Sequence, residues 1–339
     1  MRSPKFVVGL FLLLLSCAVA SFAAKLRQVA MVDLPGDPGF SQVAVANGQI
    51  VITRPATNTI EIFSPVKRRV VARISQVKDP RGIAVDDQNQ RLYVALAGSG
   101  QIAVINSQNW QVEKMVAVPH RPEQLLWVPE TKTLYATSLL GRSVSIIDAE
   151  RGEETAAIEM DALPQDMIYD PARQLLLVTL QDTAEVAAID GSHQIAGRFK
   201  LAASAPTGLA LDGARGRLYV AVRFAVVVLD AASGTEVLRI PAPGGTNTLV
   251  LDPGGNFLYA ATGEGSVLAI DLARNVVDHE LPTDVKGYAL AYEAAHKMLY
   301  MPGGREGRSK MLILSPVIGD PAATQSAQNA PAKPPTTSK

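Results

Sequence analysis

Seven variants of one unit fill most of the chain, and this repetition restricts the fold more than any other feature. A large apolar residue in the second apolar run of each unit forms one column: Val51, Tyr93, Tyr135, Leu177, Tyr219, Tyr259, Tyr300. The residue that ends the third run forms another: Ser64, Asn106, Asp148, Asp190, Asp230, Asp271, Ser315. Successive members of both columns are 40 to 44 residues apart. Two independent columns with one spacing indicate a repeat architecture.

The apolar runs within each unit are typical of β-strands. In the unit around Pro206–Asp230, the runs Gly208–Leu211, Leu218–Val222 and Ala225–Leu229 are short and separated by turn residues. A weaker and more polar fourth run follows, here Glu236–Ile240. Four strands in about 42 residues have the size of a propeller blade. The sequence therefore predicts an all-β fold, a seven-bladed β-propeller of four-stranded blades, over residues 24–316.

The two ends of the repeat region predict how the ring closes. No fourth run follows Leu314–Pro316, whereas a spare run, residues 26–32, precedes the first unit. We therefore predict that this N-terminal strand completes the last blade. Residues 317–339 are rich in Pro, Ala, Thr and Ser, a composition that predicts a disordered tail.

The first 23 residues have the pattern of a signal peptide. Arg2 and Lys5 precede the apolar run Phe6–Leu15, and small residues offer cleavage after Ala20 or Ala23. The alternative is a membrane-anchored lipoprotein, because residues 14–17 resemble a lipobox that ends at Cys17. We expect a periplasmic or secreted protein, a monomer with no transmembrane segment in the mature chain.

Composition excludes several classes of function. Cys17 is the only cysteine, so the mature chain would have no cysteine nucleophile, thiolate metal site or iron–sulfur cluster. The 32 basic and 32 acidic residues cancel, and aromatic residues make up 5% of the chain. We therefore expect no nucleic-acid partner.

Several runs carry a family resemblance. Leu92–Ala95, Leu134–Thr137 and Leu218–Ala221, with the later run Ile146–Asp148, look like the YVTN repeat. The chain resembles the YVTN-repeat, YncE-like group of secreted bacterial seven-bladed propellers, and that group is similar to lactonases of the 6-phosphogluconolactonase type. The resemblance implies a propeller over residues 26–315, but the Asn that follows the Thr or Ala of the motif is missing in every unit. No lactonase-specific polar set matches, so no lactonase residues are carried over.

The recurrent aspartates and the scattered histidines favour structural roles. Asp148, Asp190, Asp230 and Asp271 each precede a short turn, where a carboxylate accepts backbone N–H groups. The four histidines have no metal-ligand spacing, and His120, in a loop, is the one histidine of interest. We predict no catalytic set, no metal site and no cofactor.

The candidate site is defined by position. One polar or hydrogen-bonding residue leads into the first strand of each unit, and we call these the lead-in residues: Ser41, Arg81, Glu123, Gln165, Thr207, Asn247, Tyr288. In a propeller they would ring one mouth of the central channel. Loops between the second and third runs would share that face and add Arg54, Arg142, Arg223, Arg305 and Arg308 against Asp182 and Glu264. A locally basic rim predicts an anionic partner or ligand; the alternative is that these loops are merely solvated.

The sequence favours a binding or scaffold module over an enzyme. Its partner would be a protein, a peptide or a small anionic ligand at the channel mouth. The alternative is a lactonase-like hydrolase acting on a sugar lactone, with Glu123 or Asp166 as base and Arg81 or Arg223 holding an anion. A third reading is a structural envelope protein anchored through Cys17.

Overall fold

The computed structural model describes residues 24–119 and 121–318, which form 28 strands in seven four-stranded antiparallel sheets. The seven-bladed all-β prediction is confirmed. Within these residues the helical content is one 3-10 turn, Pro55–Thr57. The predicted signal peptide, His120 and residues 319–339 of the predicted tail lie outside the described residues.

Each blade takes consecutive strands of the chain, and blade 7 also takes the first strand. Blade 1 contains β2 (Val43–Ala46), β3 (Gln49–Arg54), β4 (Thr59–Ser64) and β5 (Arg69–Ile74). Blade 2 contains β6 (Pro80–Asp86), β7 (Arg91–Leu96), β8 (Gln101–Asn106) and β9 (Val112–Ala117). Blade 3 contains β10 (Leu125–Val128), β11 (Thr133–Ser138), β12 (Ser143–Asp148) and β13 (Glu153–Glu159). Blade 4 contains β14 (Pro164–Asp170), β15 (Leu175–Leu180), β16 (Glu185–Ile189) and β17 (Ile195–Lys200).

The other three blades complete the ring. Blade 5 contains β18 (Leu209–Asp212), β19 (Arg217–Val222), β20 (Ala225–Asp230) and β21 (Glu236–Pro241). Blade 6 contains β22 (Thr246–Leu251), β23 (Phe257–Thr262), β24 (Ser266–Asp271) and β25 (Val276–Pro282). Blade 7 contains β26 (Ala291–Glu293), β27 (Met298–Arg305), β28 (Arg308–Ile318) and β1 (Ala24–Asp33).

Ring closure follows the prediction. β1 pairs antiparallel with β28 from Ala24 opposite Ile318 to Asp33 opposite Lys310, with a bulge between Gln28 and Ala30. The last strand continues two residues beyond the predicted boundary at Pro316. The edge of β28 is thereby paired within the chain, as propellers require of an otherwise open blade.

The first strand of each blade lies nearest the axis, and the hydrophobic core lies between blades. First strands of neighbouring blades contact one another around the ring, for example β6 with β10 and β14 with β18. Seven clusters of buried apolar residues each join two adjacent blades. The second and third strands are therefore buried on both faces, which explains near-continuous apolar runs such as that of β20.

The recurrent aspartates cap turns, as the sequence predicted. One carboxylate oxygen of Asp148 accepts the N–H groups of Glu150 and Arg151, and Asp230 does the same for Ala232 and Ser233. Backbone donation by Arg151 and Ser233 lowers the pKa of Asp148 and Asp230, respectively.

Adjacent blades are joined at the mouth by two alternative hydrogen bonds to the carbonyl oxygen of a lead-in residue. In blades 1, 3 and 4 the donor is a threonine hydroxyl on the second strand. An example is Thr179, whose hydroxyl lies 3.0 Å from the carbonyl oxygen of Thr207. In blades 2 and 5 alanine replaces that threonine, and the N–H of Gly82 or Gly208 donates instead. These five interfaces therefore use either the threonine or the glycine, whereas between blades 6 and 7 the hydroxyl of Thr248 donates to the carbonyl oxygen of Tyr288.

We expect Gly208→Ala to destabilise the protein by about 1–3 kcal/mol, the usual cost of overpacking a rigid contact. A Cβ at Gly208 would lie 2.1 Å from the carbonyl oxygen of Asn247, which is backbone and cannot rotate away. Gly197→Ala is the matched control, because a Cβ there meets nothing within 4 Å. Urea unfolding of both variants measures the difference; equal stabilities would contradict this account of the interface.

Candidate functional site

All seven lead-in residues line one cavity of about 380 Å³ at the mouth of the ring. They converge because each occupies the equivalent position at or just before the start of the innermost strand of its blade. Residues that follow them also line the cavity, including Gln42, Gln124, Asp166 and Thr248. We call this space the mouth cavity.

Three lead-in side chains are free to bond a ligand. Ser41, Gln165 and Asn247 are half-buried in the cavity wall. Among the described residues, none of these three side chains makes a hydrogen bond, although backbone groups of all three do. An amide offers two donors and one acceptor group, and a hydroxyl offers one of each. The wall therefore presents both donors and acceptors.

The charged groups at the cavity are largely paired with one another. The Arg81 guanidinium donates to Asp79 at 2.7 Å and lies 3.8 Å from a carboxylate oxygen of Glu123. Arg121 pairs with the same two carboxylates, at 2.5 Å and 3.5 Å. Burial raises the pKa of Glu123, and the two arginines oppose that shift. Arg81 is thus already engaged by carboxylates, which weakens its attraction for an incoming anion.

Asp166 joins two blades at the cavity wall. Its carboxylate accepts the N–H of Met167 and, from blade 5, the N–H of Leu209, both at 2.9 Å. Burial raises the pKa of Asp166 from 3.8 to about 6, although both N–H donors oppose the shift. The equivalent position in blade 1 is Gln42, whose side-chain oxygen accepts the N–H of Ile83 in blade 2.

The pKa of Asp166 predicts a pH-dependent contribution to stability. Its folded-state pKa of about 6 exceeds its ordinary value of 3.8, so the folded state holds the proton more tightly than the unfolded state. Its contribution is therefore fully present below about pH 4 and is lost as the pH rises through about 6, by about 3 kcal/mol in all. We expect the difference in unfolding free energy between the wild type and Asp166→Asn to shrink by that amount from pH 4 to pH 7.5.

The matched control for this measurement is Asp190→Asn. Donation by the Ser192 hydroxyl and by backbone N–H groups lowers the pKa of Asp190, so its contribution changes with pH in the opposite direction. Urea unfolding at several pH values would measure both differences. A difference for Asp166 that does not change with pH would contradict the assignment.

Tyr288 separates the mouth cavity from a second cavity of about 630 Å³ and lines both. Its hydroxyl donates to the carbonyl oxygen of Phe40 at 2.7 Å. The second cavity is bounded mainly by glycine and proline backbone, with Lys286 and Glu306 as its charged residues. The mouth cavity, with one side chain from every blade, has the greater capacity for specific recognition.

The structure places Arg54 away from the mouth cavity, which corrects its predicted role. Its side chain is 1% exposed and pairs with the fully buried Glu61 at 3.0 Å. It also donates to Ser309 of blade 7 and lies over the Phe40 ring. Arg54 is buried because a carboxylate inside β4 needs a cation; it is therefore inaccessible to a ligand.

The other rim arginines do not supply the expected basic rim. Arg142 pairs with Asp182 at 3.2 Å, and Arg305 pairs with Asp284 at 3.1 Å. Arg223 is exposed and stacks on Phe224, and neither Arg223 nor Arg305 lines the mouth cavity. Asp182 and Asp284 thus offset the charges of Arg142 and Arg305, and Arg223 keeps its charge outside the mouth cavity.

The comparisons with known proteins support the fold. The chain is similar to a solved chain of hydrazine synthase from Kuenenia stuttgartiensis, with 16% identity and a TM-score of 0.72. The similarity covers 82% of this chain and 96% of that chain. No protein-family model matches the chain, and no curated protein matches it. At this identity the likeness shows the propeller architecture alone.

Residues 24–119 and 121–318 contain no cluster of three or more His, Cys, Asp or Glu side chains arranged to hold a metal ion. None of their helices combines the length and hydropathy needed to cross a bilayer.

Proposed function

We propose that this protein is a binding module in which the closed ring is a rigid scaffold and the mouth cavity recognises a protein, a peptide or a small polar ligand. One observation carries the proposal: seven equivalent positions converge on one cavity, yet they hold seven different residues. Two positions further on, the residues are uniformly apolar, as packing demands. Variation among equivalent positions of a cavity wall is typical of recognition loops on a repeat scaffold.

A thermal-shift screen tests this proposal. The panel contains sugar lactones, phosphorylated sugars, divalent metals, and basic and acidic peptides. A ligand at about 100 times its Kd adds about 2.7 kcal/mol, which raises the Tm by several degrees. We expect at least one such shift, and we expect Gln165→Ala and Asn247→Ala to abolish it. The control is Val66→Ser, which should retain the shift because the exposed Val66 side chain lies on the β4–β5 connection. Shifts that survive both mouth variants would refute the proposed site.

A lactonase-like hydrolase is the second candidate, favoured by one observation. Glu123 and Asp166 both have a raised pKa and share a cavity with Arg81. A carboxylate with a pKa of about 6 is suited to general-base work near neutral pH. This candidate would be established by turnover of a sugar lactone, provided that Asp166→Asn or Glu123→Gln abolishes the turnover. Without such activity, the two N–H groups that donate to Asp166 explain its position structurally.

We also propose that the chain is a YVTN-repeat, YncE-like propeller that is exported through its N-terminal segment. The mass of the mature N-terminus tests the export route. A free Ser21 or Ala24 would indicate a cleaved signal peptide, whereas an acylated Cys17 would indicate a lipid-anchored protein.

A further inference from the structure

Large apolar side chains project from the loops around the mouth cavity. Leu140, at the hairpin tip of blade 3, is 71% exposed, and Phe224, at the hairpin tip of blade 5, is 65% exposed. Tyr288 leads into blade 7 and is 43% exposed. Leu139 lines the cavity itself, which places the blade 3 tip at its rim. Exposed leucine and phenylalanine side chains around a polar cavity are typical of a protein-binding surface.

Most other exposed large apolar residues lie elsewhere on the ring. Within the described residues, Val71, Val112, Met115, Val237 and Val276 belong to outermost strands. Those residues are aliphatic and are spread over four blades. The mouth face is thus the part of the described surface that combines exposed aromatic and leucine side chains with a cavity.

The charge of the mouth cavity favours a cation. Its wall contains two carboxylates, Glu123 and Asp166, and one guanidinium, Arg81. The adjacent Asp79 and Arg121 pair with each other, so they add no net charge. Arg81 lies 2.7 Å from Asp79 and 3.8 Å from Glu123, so these two carboxylates share its single charge. With both carboxylates ionised, the cavity has an excess of one negative charge.

Glu123 is the group best placed to meet that cation. Its side chain is partly exposed, and its nearest described cations lie 3.5 Å and 3.8 Å away, without hydrogen-bonding geometry. Among the described residues its carboxylate accepts no hydrogen bond, so its oxygens can each accept a short one. Charge-assisted hydrogen bonds are the strongest that a protein surface offers.

We infer that the occupant of the mouth is a protein segment that inserts a lysine or arginine side chain into the cavity, against Glu123, and rests flanking apolar side chains on Leu140 and Phe224. This inference rests on the proposed function and specifies its ligand. A small amine would fill the cavity but would leave the apolar rim uncovered, whereas a peptide covers both. The free amide and hydroxyl groups of Gln165, Asn247 and Ser41 would accept the remaining N–H groups of the inserted side chain.

Three peptides test the inference: acetyl-Ala-Leu-Lys-Leu-Ala-amide and its counterparts with norleucine or Glu in place of Lys. Calorimetric titration into the mature protein in low salt would measure their Kd values. We expect the Lys peptide to bind about tenfold more tightly than the norleucine peptide, and the Glu peptide to bind most weakly. Equal or tighter binding of the Glu peptide, or no binding by any peptide, would overturn the inference.

Matched variants locate the contact. Glu123→Gln should weaken binding of the Lys peptide about tenfold and abolish the preference for Lys, whereas Glu153→Gln, an exposed carboxylate on β13, should change neither. Phe224→Ser and Leu140→Ser should weaken binding, and Val66→Ser should not. An unchanged Kd in Glu123→Gln would refute the cation site.

The two proposals fail in distinguishable ways. A panel ligand that requires Gln165, combined with no binding of the Lys peptide, would leave the binding module standing and overturn its cationic specificity. No ligand and no peptide at the mouth would overturn both.

Discussion

Deletion of residues 25–34 is expected to unfold the ring or to lower its free energy of unfolding by about 5–10 kcal/mol. The deletion removes the strand that pairs with β28, and with it the buried Leu26 and Leu34 and the half-buried Met31. It also removes the hydrogen bond from the Leu26 N–H to the His279 ring. Each buried apolar side chain contributes about 1.5–3 kcal/mol, and the whole net stability of a domain is about 5–15 kcal/mol.

The melting temperature from circular dichroism measures this effect. Deletion of residues 330–339, a segment of equal length from the predicted tail, is the control and should leave the Tm unchanged. An unchanged Tm after deletion of residues 25–34 would mean that β1 does not hold the ring closed.

Arg54→Ala should destabilise the protein by about 3–5 kcal/mol, the usual cost of leaving a buried charge without its partner. The Arg54 guanidinium contacts Glu61, which is 0% exposed, and also reaches Ser309 and the carbonyl oxygens of Pro35 and Asp37. It thereby ties blade 1 to blade 7 and to the segment that follows β1. Arg73, which also pairs with Glu61, is itself 44% exposed and compensates only in part.

Urea unfolding would measure the loss, with Arg223→Ala as the control. Arg223 lies in the corresponding hairpin of blade 5 but is exposed, so its removal should change the stability by less than about 0.5 kcal/mol. A loss below 1 kcal/mol for Arg54→Ala would contradict the role of Arg54 in closing the ring.

The fold was predictable because the repeat spacing counts the blades and the spare N-terminal run identifies the closing strand. The convergence of the lead-in residues could also be predicted, because equivalent positions in a propeller lie around its axis. The charge of the rim could not be predicted, because it depends on the carboxylate that each arginine meets on a neighbouring blade or connection. Glu61, a carboxylate inside an apolar strand, was the sequence signal that could have revealed the burial of Arg54.

The bridging role of Asp166 also escaped the sequence analysis. It could have been inferred from covariation between two positions of the unit. Where the second strand carries threonine, as at Thr53 and Thr179, the residue after the lead-in position is polar, as at Gln42 and Asp166. In blades 2 and 5, where it carries alanine (Ala95 and Ala221), that residue is glycine; blade 6 departs from this pattern, with Ala261 and Thr248. The physical reason is that the threonine hydroxyl and the glycine N–H donate to the equivalent carbonyl oxygen of the next blade. This shared acceptor can be recognised only from the positions of neighbouring blades.

Site-directed photo-crosslinking in the cells that produce the protein would test the central claim most directly, that the mouth is its recognition face. A benzophenone side chain would replace Tyr288 at the mouth in one variant and Val66, on the β4–β5 connection, in another. The account predicts a discrete adduct from position 288 that Glu123→Gln weakens, and none from position 66. An adduct from position 66 alone, or none from either position, would contradict it.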